Sequence, residues 1–182
     1  MTLDELWELF PVFLVPYDEK WKEYYNEIET EIKAVLSGVK VYRISHIGST
    51  AVKKIQAKNI VDVLVEMDSD IEEAAKLLEK SGSITMSSGE KRISLNKGYT
   101  KDGFAKKVYH IHLRCRGDND ELYFRDYLNE HAETAKEYEA LKKSLAEKFR
   151  RDRDGYTEAK TEFISRMTAR APRAEARNGN KK

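Results

Sequence analysis

The chain has 182 residues and a formal net charge of +1. Its composition, with 40% hydrophobic and 36% charged residues, indicates one soluble globular domain with a heavily charged surface. No apolar run reaches transmembrane length, and the acidic, amphipathic N-terminal segment is unlike a signal peptide. A single cysteine, Cys115, rules out an intrachain disulfide and favours a reducing cytoplasm, while the acidic body disfavours a dedicated nucleic-acid binder.

Hydrophobic periodicity divides the chain into a sheet-rich part over residues 12–116 and a helical part over residues 120–168. The sheet-rich part alternates helical and strand patterns and then becomes a meander of strands. Its predicted elements, in chain order, are a helix at 4–10, a strand at 12–15, a helix from 16 to about 36, strands at 40–46 and 59–67, a helix at 68–81, and strands at 83–87, 90–96 and 104–116.

The second part predicts helices at residues 120–130, 132–150 and 156–168. In these helices Tyr138, Lys142, Tyr156 and Lys160 recur at helical spacing, which predicts packing between antiparallel helices. The basic segment at residues 169–182 lacks hydrophobic periodicity and is predicted to be disordered. The order of elements therefore predicts an α+β fold, a mixed β-sheet flanked by helices with a C-terminal helical half.

A tight turn at residues 48–50 is the first part of a candidate site. Gly48 lets the backbone turn sharply and approach a bound group closely. Ser49 and Thr50 can cap the short helical passage that follows, which leaves backbone N–H groups that suit a phosphate. We therefore predict that Gly48, Ser49 and Thr50 bind a phosphate.

Asp62 is the second part, because it lies in an otherwise apolar strand where a carboxylate must be paired, hydrated or bound to a metal. A phosphate on the turn and a metal on Asp62 form the arrangement that nucleotidyl transfer needs, so Asp62 is the candidate catalytic residue. Lys58 is the best candidate for a phosphate-binding cation, and Arg43 could extend the same groove. The structural alternative is that Asp62 caps local backbone or pairs with Lys58 or Arg43.

Three histidines are candidate ligands of a metal or a phosphate. His110 and His112 alternate in one predicted strand and point the same way, whereas His46 lies beside the glycine turn. If that strand neighbours the strand of Asp62, these imidazoles and the carboxylate could form a mixed nitrogen and oxygen site for a metal. The alternative is a half-exposed polar face of the sheet.

Several motifs resemble those of a known family: PYDEKW at residues 16–21, HIGSTAV at 46–52, KNIVDVLV at 58–65, HIHL at 110–113 and FRDYL at 124–128. The chain is similar to the GrpB family, in the family's order, over roughly residues 12–168. The resemblance implies a single domain over residues 1–168 with the fold of the nucleotidyltransferase superfamily. In some lineages such a domain is joined to a dephospho-CoA kinase, which implies a link to coenzyme A metabolism.

The superfamily motif combines a Gly-Ser turn with a strand carrying two acids one residue apart and a third acid on a neighbouring strand. Ile47, Gly48 and Ser49 match the turn and Asp62 matches the first acid, but Leu64 occupies the second position. Glu66 lies on the same face about 13 Å along the strand, which is too far for both acids to share one metal.

The resemblance implies binding of a nucleotide or another phosphate-bearing ligand, with Mg²⁺- or Mn²⁺-dependent nucleotidyl transfer as its enzymatic form. The departure at Leu64 favours an alternative, a non-catalytic ligand-binding module linked to coenzyme A metabolism. A third hypothesis is a protein or RNA interaction domain that uses the helical half and the basic tail. A membrane partner is not expected.

Overall fold

A computed structural model describes residues 2–171, and its elements confirm the predicted α+β class. The helices are α1 (Leu3–Leu9), α2 (Lys20–Val35), α3 (Ile71–Lys80), α4 (Asp120–Glu130), α5 (Ala132–Lys148) and α6 (Arg153–Arg170). The strands are β1 (Val41–Ile47), β2 (Val61–Met67), β3 (Ile84–Ser88), β4 (Arg92–Thr100) and β5 (Gly103–Cys115). No helix within the described range is long and apolar enough to cross a bilayer.

Helix α2 begins at Lys20 and helix α3 at Ile71, a few residues later than predicted, and two other predicted elements differ from the structure for clear local reasons. Residues 12–15 form no strand, because only Val15 is bridged, to Ala57, while the Val12 amide donates to the carbonyl of Arg150. Helix α6 begins earlier than predicted because the Asp152 side chain accepts a hydrogen bond from the Gly155 amide and caps the helix. It continues to residue 170, and the remainder of the predicted disordered segment, residues 172–182, lies outside the described residues.

The five strands form one mixed sheet in the order β1-β2-β5-β4-β3, in which β2 and β5 are parallel and the other neighbours are antiparallel. One face is apolar, because Val63, Val65 and Ile111 all point to it, and it packs against α2 and α3 to form the main core. The opposite face carries Asp62, His110 and His112. The alternation of side chains thus separates the core from a polar face.

The helical half covers the polar face. Phe124 of α4, Tyr138 of α5 and Phe163 of α6 pack together, with ring centroids 5.2 to 5.4 Å apart. Val52 and Ile55, which follow the glycine turn, are buried in the same cluster. The helices are therefore fixed to the segment that leads from β1 to β2, which is where the candidate site lies.

Glu66 of β2 links the sheet to the loop before α4. Its side chain is fully buried and accepts hydrogen bonds from Arg43 Nε at 2.6 Å, the Gly117 amide at 3.2 Å and Asn119 Nδ2 at 2.9 Å. Because a buried carboxylate is stable only when its oxygens are paired, these three donors account for its position in the strand.

Replacing Glu66 by alanine is expected to lower the free energy of unfolding by about 2 to 3 kcal/mol, because the change leaves buried donors without an acceptor. Urea denaturation of the variant and of the parent protein measures this difference. Glu72→Ala is the matched control, since Glu72 is exposed on α3. Equal losses in the two variants would contradict the structural role of Glu66.

Candidate functional site

A cleft of about 920 Å³ lies between the polar face of the sheet and the helical half. Asp62, His110 and His112 line it from the sheet, and Gly48 and Ser49 line it from the turn after β1. The helices contribute the remaining wall, including several basic side chains. The structure thus brings the predicted turn and the predicted carboxylate into one cavity.

The glycine turn touches the Asp62 carboxylate. Gly48 has φ 74° and ψ −172°, and a Cβ atom built on it would lie 2.6 Å from Asp62 Oδ2, so only glycine fits. The turn is also anchored from α4. Asn129 accepts a hydrogen bond from the Lys53 amide at 2.9 Å and donates to the Ala51 carbonyl at 3.0 Å. The backbone of the turn is therefore held between the Asp62 carboxylate and the side chain of Asn129.

Thr50 and His46 do not face the cleft. Thr50 is buried and its hydroxyl lies 2.9 Å from His46 Nε2, while His46 also stacks on Tyr25 with ring centroids 4.9 Å apart. The turn continues as a three-residue 3₁₀ helix without a side-chain cap, so neither hydroxyl plays the predicted capping role. Burial lowers the pKa of His46 to about 4, which keeps its imidazole neutral at physiological pH.

Arg43 is also away from the cleft, because its guanidinium pairs with Glu66. Asp62 pairs with neither Arg43 nor Lys58 through a short contact. Its Oδ1 atom lies 3.1 Å from His112 Nε2 and 3.4 Å from His110 Nδ1. The structure therefore pairs Asp62 with the two histidines of β5, and with neither of the basic residues expected as partners.

The protonation of Asp62 follows from these neighbours. Burial by itself raises the pKa of this carboxyl, but the hydrogen bonds and charges of His110 and His112 outweigh it and hold the pKa well below its usual range. For His110, burial dominates and lowers the pKa of the imidazole despite the nearby carboxylate. Asp62 is therefore an anion that the cleft can offer to a cation.

The helical wall of the cleft is cationic. Lys142 of α5 and Arg153 and Lys160 of α6 line the cavity together with Lys58, which precedes β2. Burial, strengthened by repulsion from Lys160, lowers the pKa values of both Lys58 and Lys142 to about 7, and Arg153 adds to the repulsion at Lys58. Burial also lowers the pKa of Lys160, to about 8. These ammonium groups lack the solvent or counter-charge that would keep their ordinary pKa values.

Aromatic rings hold these cations in place. Tyr156 lies between two of them, with Lys160 Nζ 4.4 Å and Lys58 Nζ 5.2 Å from its ring centroid. Lys142 Nζ lies 4.9 Å from the ring of Tyr138 and donates to the Gln56 carbonyl. The cations are thus positioned by packing before any ligand arrives.

The other end of the cleft is acidic, because one arginine lies there among three carboxylates. Arg92 lines it and donates two hydrogen bonds, of 2.6 and 2.7 Å, to the carboxylate of Asp118. Asp120 and Glu121 line the same end. An anionic group entering the cleft is therefore drawn toward the side of Lys58 and Lys160.

The sequence singled out Lys58 as a phosphate-binding cation, assigned Lys142 and Lys160 to packing between helices, and gave Arg153 no role. A signal for Lys142 was present, since it falls at helical spacing on the same face of α5 as the buried Tyr138 and Leu145. A fully buried lysine on an apolar helix face needs a partner, so it marks a site as well as a packing position. No comparable signal distinguishes Arg153, because its contact with the cleft depends on how α6 packs.

A family model described as "GrpB protein" matches residues 11–170. A glutamate-rich protein GrpB of Alkalihalophilus pseudofirmus is 35% identical over 170 residues, covering 86% of this chain and 93% of the relative. The UPF0157 protein YqkA of Bacillus subtilis is also 35% identical, over 176 residues that cover 92% of this chain but 50% of that protein.

Solved structures resemble the fold as well. The crystal structure of a conserved protein GrpB from Enterococcus faecalis has a TM-score of 0.74 at 29% identity and covers 87% of this chain and 96% of that one. The Cid1 poly(U) polymerase with MgGTP bound has a TM-score of 0.52 at 12% identity and covers 80% of this chain and 46% of that one. At 12% identity, the second similarity shows a shared fold alone.

Proposed function

Because the chain belongs to the GrpB family, whose nucleotidyltransferase-like fold it shares, we propose that its cleft binds a phosphate-bearing ligand, with a nucleotide as the first candidate. One observation carries the proposal: Lys58, Lys142, Lys160 and Arg153 converge on a cavity beside the glycine turn. Like charges collect in a partly desolvated space only at a cost that a bound anion removes.

The size of the cleft supports a ligand larger than free phosphate. About 920 Å³ lies within the range of cavities that hold cofactors and nucleotides. The phosphates would lie on the cationic side, against Ser49 and the lysines, and the rest of the ligand would extend toward Phe124 and Ile164, which also line the cavity. The presence of MgGTP in the Cid1 structure makes nucleoside triphosphates the first ligands to test.

A non-catalytic binding module is the second candidate. Leu64 is fully buried against Ile47 and Leu122, and Glu66 is occupied by its three donors, so β2 offers the cleft a single carboxylate. Transfer assisted by two Mg²⁺ ions requires carboxylates that bridge or flank both ions. This observation favours binding over two-metal nucleotidyl transfer. The single cysteine supports a cytoplasmic setting for either function.

The proposal predicts that ATP or GTP raises the thermal stability of the protein by mass action and that Lys160→Gln weakens this binding about tenfold or more. Isothermal titration calorimetry with ATP, GTP, coenzyme A and pyrophosphate, with and without Mg²⁺, measures the affinities. Lys136→Gln is the matched control, since Lys136 is an exposed lysine on the same helical half.

Absence of binding by all four ligands would contradict the proposal, as would equal losses in the two lysine variants. Release of pyrophosphate from a bound triphosphate in the presence of a divalent metal would favour the enzyme over the binding module. Binding of the same affinity without metal and without turnover would favour the module.

A further inference from the structure

We propose that Asp62, His110 and His112 bind one divalent transition-metal ion of the zinc or cobalt type, and that the site does not take the Mg²⁺ pair implied by the fold family. Mg²⁺ demands octahedral coordination by oxygen ligands, whereas this site offers two imidazoles and one carboxylate. Within residues 2–171 these three side chains form the only group of three or more His, Cys, Asp or Glu residues that could hold a metal ion.

The spacing of the donor atoms suits a single small ion. One donor atom from each residue lies within 4.8 Å of the other two, and the shorter separations from Asp62 Oδ1 are 3.1 and 3.4 Å. Ligands that bind zinc at their usual bond lengths in a tetrahedron lie about 3.3 Å apart. The two histidines and Asp62 therefore need only small side-chain shifts to coordinate one ion.

The register of the sheet produces this arrangement. Asp62 of β2 lies directly opposite His110 of β5, and His112 is the next residue of β5 on the same face. Because β2 and β5 are neighbouring strands buried between layers of helices, their backbones fix the three side chains on one rigid surface. A site on strands holds its geometry better than a site on loops.

The second nitrogen of each imidazole has a partner of its own. Tyr99 Oη lies 2.8 Å from His110 Nε2, which leaves His110 Nδ1 directed at Asp62. Ser94 Oγ lies 3.3 Å from His112 Nδ1, which leaves His112 Nε2 directed at Asp62. Metal-binding histidines characteristically donate their other ring N–H to such a partner, which fixes the tautomer and the orientation of the ring.

Three protein ligands leave coordination positions open toward the cleft, because Asp62, His110 and His112 all line that cavity. Such a position accepts water or an oxygen of an anionic ligand. The metal site does not depend on the anion site, since none of its three ligands belongs to the cationic wall. It can therefore be tested with the metal alone.

The test uses the full chain, stripped of metal with a chelator and titrated with Co²⁺ while visible absorption is recorded. We expect one Co²⁺ per chain with the intense bands of low coordination number, displacement by equimolar Zn²⁺, and no displacement by Mg²⁺ at a hundredfold excess. His112→Ala should weaken Co²⁺ binding at least about a hundredfold, and Tyr99→Phe about tenfold, the usual range for loss of an outer partner.

His131→Ala is the matched control, because His131 is an exposed histidine at the junction of α4 and α5 and should leave the titration unchanged. Displacement of Co²⁺ by Mg²⁺ at similar concentration would overturn the proposal. So would equal losses in His131→Ala and His112→Ala, or no saturable Co²⁺ band. Circular dichroism of each variant establishes that it is folded, and Asp62→Asn, which keeps the shape of the side chain, provides a second test if His112→Ala does not fold.

Discussion

Replacing Gly48 by alanine is expected to lower the free energy of unfolding by about 3 kcal/mol and to abolish ligand binding in the cleft. The backbone at this position has φ 74° and ψ −172°, a conformation that is essentially restricted to glycine. The new Cβ would also lie 2.6 Å from Asp62 Oδ2 and 3.1 Å from Asp62 Cγ. Either the turn or the carboxylate must move, and both belong to the candidate site.

Gly38→Ala is the control for this prediction. A Cβ atom at Gly38 meets no other atom within 4 Å, and the residue does not adopt a positive φ, so its replacement should be nearly neutral. Chemical denaturation measures the stability of both variants, and calorimetry with ATP measures the affinity. Retention of parent-like affinity by Gly48→Ala would show that the turn does not form part of the binding site.

The second large effect concerns pH. We expect the affinity for ATP to fall as the pH rises above 7.5. Each lysine that must gain a proton on binding contributes a decrease of about tenfold per pH unit. Burial lowers the pKa values of Lys58 and Lys142 to about 7, so in the free protein both ammonium groups lose their charge as the pH rises through neutrality. A bound polyphosphate favours the charged form and raises these pKa values, so binding takes up protons.

The direction of this dependence follows from every group that faces Lys58. Lys160, Arg153 and Lys142 oppose its charge, and Asp62 favours it but is shared with the histidines of β5. Above pH 7.5 the terminal phosphate of ATP is largely ionised, so the ligand contributes little to the change. The pH dependence of the affinity should therefore reflect the protonation of the lysines.

Calorimetry in buffers of different ionisation enthalpy measures the proton uptake directly. Lys160→Arg should flatten the profile, because a guanidinium remains charged throughout this range. In the parent protein Lys160 has a pKa of about 8, so its ammonium group loses its charge within the pH range of the experiment. An affinity that stays constant from pH 7 to pH 9 in the parent protein would contradict a role for the buried lysines.

Most of the fold followed from hydrophobic periodicity. The long helix α2, the strands β2 and β5 and all three C-terminal helices were predicted within a few residues, because each has a continuous apolar pattern. The ends of the elements depended on single capping contacts, such as the one from Asp152 to the Gly155 amide. Such contacts are difficult to recognise before the backbone is known.

The candidate site was less accessible to prediction, because side-chain direction depends on strand register. Ile47 lies opposite Asp62 and His46 lies opposite Val63, so a difference of one residue places His46 on the apolar face of the sheet. Arg43 lies opposite Glu66 in the same ladder, which explains why it pairs there and does not reach the cleft. Neither pairing can be read from spacing along the chain.

The cleft described above is divided between two parts of the polypeptide, with Asp62 on the sheet and Lys142 and Lys160 on helices that follow much later in the chain. An occupant with negative charge links the two parts through Lys58, which precedes β2, and through Lys142 and Lys160 of the helices, because it replaces the repulsion among these lysines by attraction to all three. We expect loss of the occupant to loosen the helical layer over the sheet, including regions that do not touch the ligand. The rate of local opening in the helical half would in this way show whether the cleft is occupied.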